Sequence, residues 1–197
     1  MKSIANALKL IGLRWEICEN PNELELGKFK DIILPGVGSF DFAASELSSR
    51  GFRETIQDLA HGNGINLLGI CLGMQLLLDG SEEGDLPGLG LIPGIARKFN
   101  FNDSHLSLPI PNIGWNSFKF TKEGKVICNF SLLEGARFYF AHSYYASEIS
   151  QESIYAYSDY GLRFPSIIGN GSVTGFQFHP EKSLKAGLML LKTYFQG

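Results

Sequence analysis

Cysteine is scarce in this chain. Three occur in 197 residues, Cys18, Cys71 and Cys128, and they stand far apart. An odd, widely spaced set argues against a disulfide framework and against a CxxC-type metal site. No metal and no cofactor are expected. Long hydrophobic runs are also missing, and none approaches the ~20 residues that a membrane-spanning helix needs. Neither sign of charge dominates. Seventeen Lys and Arg face twenty Asp and Glu, a net charge of −3 without a basic cluster. That argues against nucleic acid or an anionic membrane as a partner. Met1-Lys2-Ser3 leads into no apolar signal core, so a cytoplasmic chain is expected. Internal repeats, low-complexity tracts and linkers are absent, and residues 1–197 are read as one domain.

What is there suits a packed core: 44% of residues are hydrophobic and 19% charged. Ser3 to Leu10 reads as an amphipathic helix with Ile4, Leu8 and Ile11 on one face and Gly12 as its stop. Arg14 to Cys18 reads as a strand. Asp31 to Leu34 is a short continuous apolar run, as in a strand buried on both faces of a parallel sheet. Asp41 to Asn63 reads as helical with a break near Gly51. Asn66 to Ile70 is a second buried strand, and Leu72 to Leu78 a further helix. This alternation predicts an α/β fold. From Leu91 to about Ser158, aromatic-rich alternating runs predict antiparallel or mixed strands. Val173 begins a last strand that Pro180 ends. Ser183 is placed to cap a final helix with Leu184, Leu188, Leu191 and Phe195 on one face. One element is lacking here too: the chain opens on a helix, where a parallel α/β domain normally opens on a strand.

Three stretches carry the chemistry. "LLGICLGMQLL", Leu67 to Leu77, places Cys71 between two glycines where a strand meets a helix. Gly-x-Cys-x-Gly in that setting resembles a nucleophile elbow, with cysteine in place of serine. Such a turn needs tiny neighbours, which Gly69 and Gly73 provide. The helix start at Leu72 offers free N–H groups that lower a thiol pKa and stabilise an oxyanion. By itself the stretch reads equally as a buried, inert cysteine. "FQFHPEK" supplies what a nucleophile lacks. His179 and Glu181 lie two apart and face one way on an extended segment, so Glu181 can orient His179 as a base. "PGVGSF", Pro35 to Phe40, is a glycine-flanked turn able to present a backbone N–H to a ligand. His61, His105 and His142 lack partners at metal spacing; His61 and His105 read as solvated loop residues.

In this order the motifs resemble the class I glutamine amidotransferases, and more narrowly the glutaminase subunit of imidazole glycerol phosphate synthase. The resemblance covers nearly the whole chain. It rests on "ILPGVGSF", "LLGICLGMQLL", "SEEGDLPGLGLIPG", "IGWN", "FYFAHSYY", "GFQFHPEKS" and "AGLMLLK". It implies a flavodoxin-like three-layer sandwich, with a central mostly parallel sheet and additional antiparallel strands. It implies that Cys71 attacks the side-chain amide of L-glutamine, with His179 as base and Glu181 as its orienting group. The oxyanion would be held by the Leu72 N–H and by an N–H of the turn at Val37 and Gly38, after that turn reorients. Gln75, Ser143 and Tyr144 match positions that contact glutamine. Ammonia would pass to a cyclase subunit, a (β/α)8 barrel in a heterodimer, for imidazole glycerol phosphate formation in histidine biosynthesis. Trp115, Tyr139 and Lys182 match positions at that interface.

The resemblance also implies two departures. A first strand and an Asp-Tyr-Gly-x-Gly-Asn type loop are missing ahead of "KSIANALKLIG", which would leave open hydrogen-bonding groups in the sheet. Asn112 stands where the family usually has histidine. Two other functions stay open on the sequence: a paralogue supplying ammonia for amidination of a surface-polysaccharide sugar, and a truncated, non-catalytic partner-binding module.

Overall fold

The computed structural model describes residues 2–25, 29–62, 64–101, 108–127, 133 and 135–196. Along them run α1 (Lys2–Leu10), α2 (Asn22–Glu25), β1 (Asp31–Gly36), α3 (Phe40–Ser49), α4 (Phe52–His61), β2 (Asn66–Cys71), α5 (Leu72–Leu76), β3 (Gly80–Ser81) and β4 (Ile95–Lys98). There follow β5 (Asn112–Ser117), β6 (Lys119–Phe120), α6 (Lys122–Ile127), β7 (Arg137–His142), β8 (Tyr144–Ser147), β9 (Ile154–Tyr160), β10 (Leu162–Asn170), β11 (Val173–Phe176) and α7 (Leu184–Gln196).

The main sheet has the order β1-β2-β11-β10-β9-β6. β1, β2 and β11 are parallel, and β10, β9 and β6 extend the sheet antiparallel. Side chains alternate across a strand, so β2 serves two cores at once. Leu68 and Ile70 pack with Ile4, Ala7 and Leu8 of α1 and Leu190 and Leu191 of α7. Leu67 packs on the other face with Phe52, Ile56 and Ala60 of α4 and Met74 of α5. Helices on both faces of a mixed sheet make the three layers expected from the resemblance. Beside them stand a small sheet, β3-β4-β8, and a two-stranded antiparallel ribbon, β5-β7. No helix among the described residues is long and apolar enough to cross a membrane.

Several expectations need correction. Residues 13–19 form no strand, and Trp15 and Ile17 are 43% and 52% exposed. Strand-like composition forms a ladder only beside another strand, and none of the described strands pairs there. For the same reason β1 is only half-buried: it pairs with β2 alone and is the sheet edge among the described residues. The helix after Cys71 stops at Leu76, two residues early, and closes in turns from Leu77 and Leu78 back to Met74 and Gln75. In α7 the buried residues are Gly187, Leu190 and Leu191, whereas Leu184 has φ +52° and is 73% exposed. The chain enters α7 from a tight turn at Pro180–Lys182, which throws the first side chain outward. The Ser183 hydroxyl is not spent on a cap. It donates to the carbonyl of His179 at 2.6 Å and accepts the N–H of Tyr139 at 2.9 Å. His61 is the exposed last residue of α4, not a loop residue. Cys128 and His105 lie outside the described residues.

Candidate active site

Cys71 ends β2 and caps α5 with φ 55° and ψ −108°, a conformation that non-glycine residues rarely adopt. The packing around it requires the two flanking glycines. A Cβ on Gly69 would stand 2.6 Å from the Gly73 carbonyl oxygen, and one on Gly73 would stand 1.8 Å from that of Leu34. The elbow is therefore built by close backbone approach between β1, β2 and α5. Cys71 is 7% exposed, and its thiol reaches the Ala141 carbonyl at 3.8 Å.

His179 comes to Cys71 from the end of β11. Its N–H pairs with the Tyr139 carbonyl at 2.8 Å, which ties the segment to β7. Nδ1 of His179 lies 2.9 Å from Oε1 of Glu181. The pair does not lie on extended backbone, as the sequence suggested. Pro180–Lys182 is a 3₁₀ turn, and the turn brings Glu181 back under the ring. Burial pulls the His179 pKa down. The hydrogen bonds and negative charges of Cys71 and Glu181 outweigh it and push the value up to about 9. A histidine set between a cysteine and a carboxylate is the arrangement that activates a cysteine nucleophile.

Cys71 and His179 open onto a cleft of about 310 Å³, which Leu72, Val37, Gly38, Gln75, Ser143, Tyr144 and Lys182 also line. Every catalytic, oxyanion and glutamine-binding residue that the sequence pointed to, except Glu181 behind the imidazole, is on its wall. Gly38 has φ +109°, so the turn uses backbone space open mainly to glycine. Val37 beside it is 78% exposed. Gln75 is buried and donates from Nε2 to the Tyr144 carbonyl at 3.0 Å.

Glu83 also lines the cleft, and no role had been given to it. Its neighbour Glu82 is engaged elsewhere, with Arg97 at 3.4 Å and the Lys98 N–H at 2.8 Å. Glu83 accepts the Phe40 N–H at 2.9 Å and brings a carboxylate to the cleft wall. The available signal was the acidic pair in "SEEGD", close behind the elbow helix.

Trp115, Tyr139 and Lys182 also meet. The Trp115 and Tyr139 rings are 6.0 Å apart and edge-on, and the Lys182 ammonium sits 5.9 Å from the Tyr139 ring centre. Trp115 and Tyr139 stand opposite each other in the β5-β7 ribbon, where Trp115 is 39% and Ile113 63% exposed, and Lys182 reaches Tyr139 from the 3₁₀ turn. An exposed apolar face with a cation beside the cleft suits a docking surface. Among the described residues no group of His, Cys, Asp and Glu is arranged to hold a metal.

The family described as "Glutamine amidotransferase class-I" matches residues 1–195. The imidazole glycerol phosphate synthase subunit HisH of Leptospira interrogans is 41% identical over 98% of this chain and 93% of its own. The protein of the same name from Streptococcus sanguinis is 41% identical over 98% of this chain and 88% of its own. A crystal structure of a glutamine amidotransferase shares the fold with a TM-score of 0.72 at 17% identity, covering 98% of this chain and 92% of that one. The chain belongs to the class-I glutamine amidotransferase family.

Proposed function

We propose that this chain is the glutaminase subunit of imidazole glycerol phosphate synthase, working in the cytoplasm on L-glutamine. The observation that carries the reading is the strained Cys71 sharing a cleft with His179, whose Nδ1 lies 2.9 Å from Glu181 Oε1. The Cys71 thiolate attacks the carboxamide carbon of glutamine. The C–N bond breaks, His179 gives its proton to the leaving nitrogen, and ammonia departs from a glutamyl thioester. Water then adds to the thioester as His179 takes its proton. The C–S bond breaks, releasing glutamate and restoring the thiolate–imidazolium pair. Glu181 keeps the ring in the tautomer that serves both steps. The Leu72 N–H and an N–H from the turn at Val37 and Gly38 hold the oxyanion, each donor worth ~3 kcal/mol of barrier. Gln75, Ser143 and Tyr144 contact the substrate, and the Glu83 carboxylate meets its ammonium group.

Ammonia passes to a cyclase subunit with a (β/α)8 barrel, which docks on Trp115, Tyr139 and Lys182. The names of the relatives support this acceptor over a surface-polysaccharide sugar. The assembled cleft supports catalysis over a purely binding role.

The test is glutamate release with and without a cyclase subunit, together with formation of imidazole glycerol phosphate. Stimulated release that disappears in Cys71→Ala is expected. Release that survives Cys71→Ala, or no release with the cyclase bound, overturns the reading.

A further inference from the structure

A buried histidine that takes no part in the chemistry above stands directly under the cleft. His142 is the last residue of β7 and is 4% exposed. Its ring sits in an aromatic box, with ring centres 5.3 Å from Phe99, 5.7 Å from Phe140 and 5.3 Å from Phe164. Burial pulls its pKa down to about 4, so the ring is neutral at pH 7.

A neutral imidazole has one donor and one acceptor, and the surroundings decide which is which. Nδ1 lies 2.8 Å from the Tyr144 carbonyl, which can only accept. Nδ1 therefore carries the proton, and Nε2 is left as an acceptor. Asn112, opposite His142 across the β5-β7 ladder, places its side-chain Nδ2 3.2 Å from Nε2 and donates to it. The Tyr144 carbonyl thus receives two N–H groups, from His142 Nδ1 and from Gln75 Nε2. The Gln75 Nε2 group also approaches the buried Gln177 Oε1 at 3.5 Å. With its nitrogen spent on this network, the Gln75 amide keeps its oxygen as the free acceptor at the cleft wall.

We propose that Asn112 and His142 are positioning residues for the glutamine site. The Asn112–His142 pair fixes the Tyr144 carbonyl, the carbonyl fixes which way the Gln75 amide faces, and Gln75 Oε1 is thereby presented to an N–H group of the substrate. That N–H belongs either to the carboxamide or to the α-ammonium of glutamine. The inference rests on the glutaminase reading.

The experiment is the double variant Asn112→Leu/His142→Phe. Replacing both polar partners with apolar groups of similar shape leaves neither side chain with an unmet buried group, the Tyr144 carbonyl keeps the Gln75 donor, and the change costs little stability. A phenyl ring also suits the aromatic box, so a retained or higher melting temperature is expected. Initial rates of glutamine hydrolysis in the cyclase complex should show KM raised about three- to tenfold with kcat held within about twofold, the effect of one misdirected hydrogen bond. Two analogues find the group that Gln75 holds: glutaramate, which lacks the ammonium, and L-glutamate γ-methyl ester, which lacks the carboxamide N–H. The penalty should vanish for one of them. An unchanged KM for glutamine, a loss confined to kcat, or an equal penalty on both analogues overturns the proposal. A second measurement is independent of the variant's folding. Two-bond nitrogen–proton correlations on the unmodified chain should show His142 as the Nδ1–H tautomer, and an Nε2–H tautomer overturns the proposal. Absence of any hydrolysis by the unmodified complex instead defeats the glutaminase reading itself.

Discussion

The backbone N–H of Phe40 donates to Oε2 of Glu83 at 2.9 Å, joining parts of the chain 43 residues apart. Phe40 is the first residue of α3, directly after the Val37–Ser39 turn. One carboxylate therefore serves the cleft wall and also anchors the turn proposed to hold the oxyanion. The prediction separates the two uses. Glu83→Gln keeps a carbonyl oxygen for Phe40 but loses the charge, and should raise KM for glutamine about 10- to 100-fold while leaving kcat nearly unchanged. Glu83→Ala should lower kcat as well. Equal kcat values for the two variants would show that the Phe40 contact does not matter to the turn.

His179 predicts a pH dependence of definite sign. Its pKa in the folded chain, about 9, is above the ordinary 6.5. The folded state therefore binds the proton more tightly. The resulting stability is fully present below pH 6.5 and is lost as the pH rises through about 9. Urea unfolding at pH 6 and pH 9.5 should give a lower midpoint at the higher pH. Glu181→Gln should shrink that difference and, in an NMR titration, bring the His179 pKa down. A midpoint drop of the same size in Glu181→Gln would rule out this pair as its source.

Gly73→Ala tests the elbow rather than the chemistry. The added methyl meets the backbone oxygen of Leu34 at 1.8 Å, and backbone inside a sheet cannot swing aside. Destabilisation at or above the upper end of the ~1–3 kcal/mol usual for overpacking is expected, seen as a lower urea midpoint. Gly80, where a Cβ meets nothing within 4 Å, is the control, and Gly80→Ala should be close to neutral.

Trp115→Ala addresses docking. Trp115 leans edge-on against Tyr139 but remains 39% exposed, so its removal should leave the melting temperature almost unchanged. Loss of a central interface aromatic costs ~2 kcal/mol of binding, about a thirtyfold rise in Kd for the cyclase subunit by titration calorimetry. Unchanged affinity would move the interface elsewhere on the surface.

Much of this site was legible because its parts are local. Gly69-Ile-Cys71-Leu-Gly73 contains its own reason, since a sharp strand-to-helix turn and two missing side chains are a single steric fact. His179 and Glu181 were also readable as a pair, although their meeting depends on a 3₁₀ turn and not on extended backbone. Glu83 was not readable. An acidic pair in a loop looks solvated until Arg97 is seen to occupy Glu82 and the cleft is seen to face Glu83. The strand expected at Arg14 to Cys18 failed for a similar reason: a strand exists only with a neighbour, and pairing is a property of the sheet. The role of His142 was hidden because its partner Asn112, and Gln75, which shares the Tyr144 carbonyl with it, lie 30 and 67 positions away, and only the β5-β7 register and the cleft bring them together.

The Ser183 hydroxyl, 1% exposed, holds the His179 carbonyl with its proton and the Tyr139 N–H with its oxygen. This makes one opening unit of two places that seem to have separate duties. The Tyr139 amide exchanges only when it lets go of the hydroxyl that, through a second bond, steadies the backbone of His179. The two amides, Tyr139 and His179, should exchange with one shared protection factor, and a partner resting on Tyr139 should slow both together.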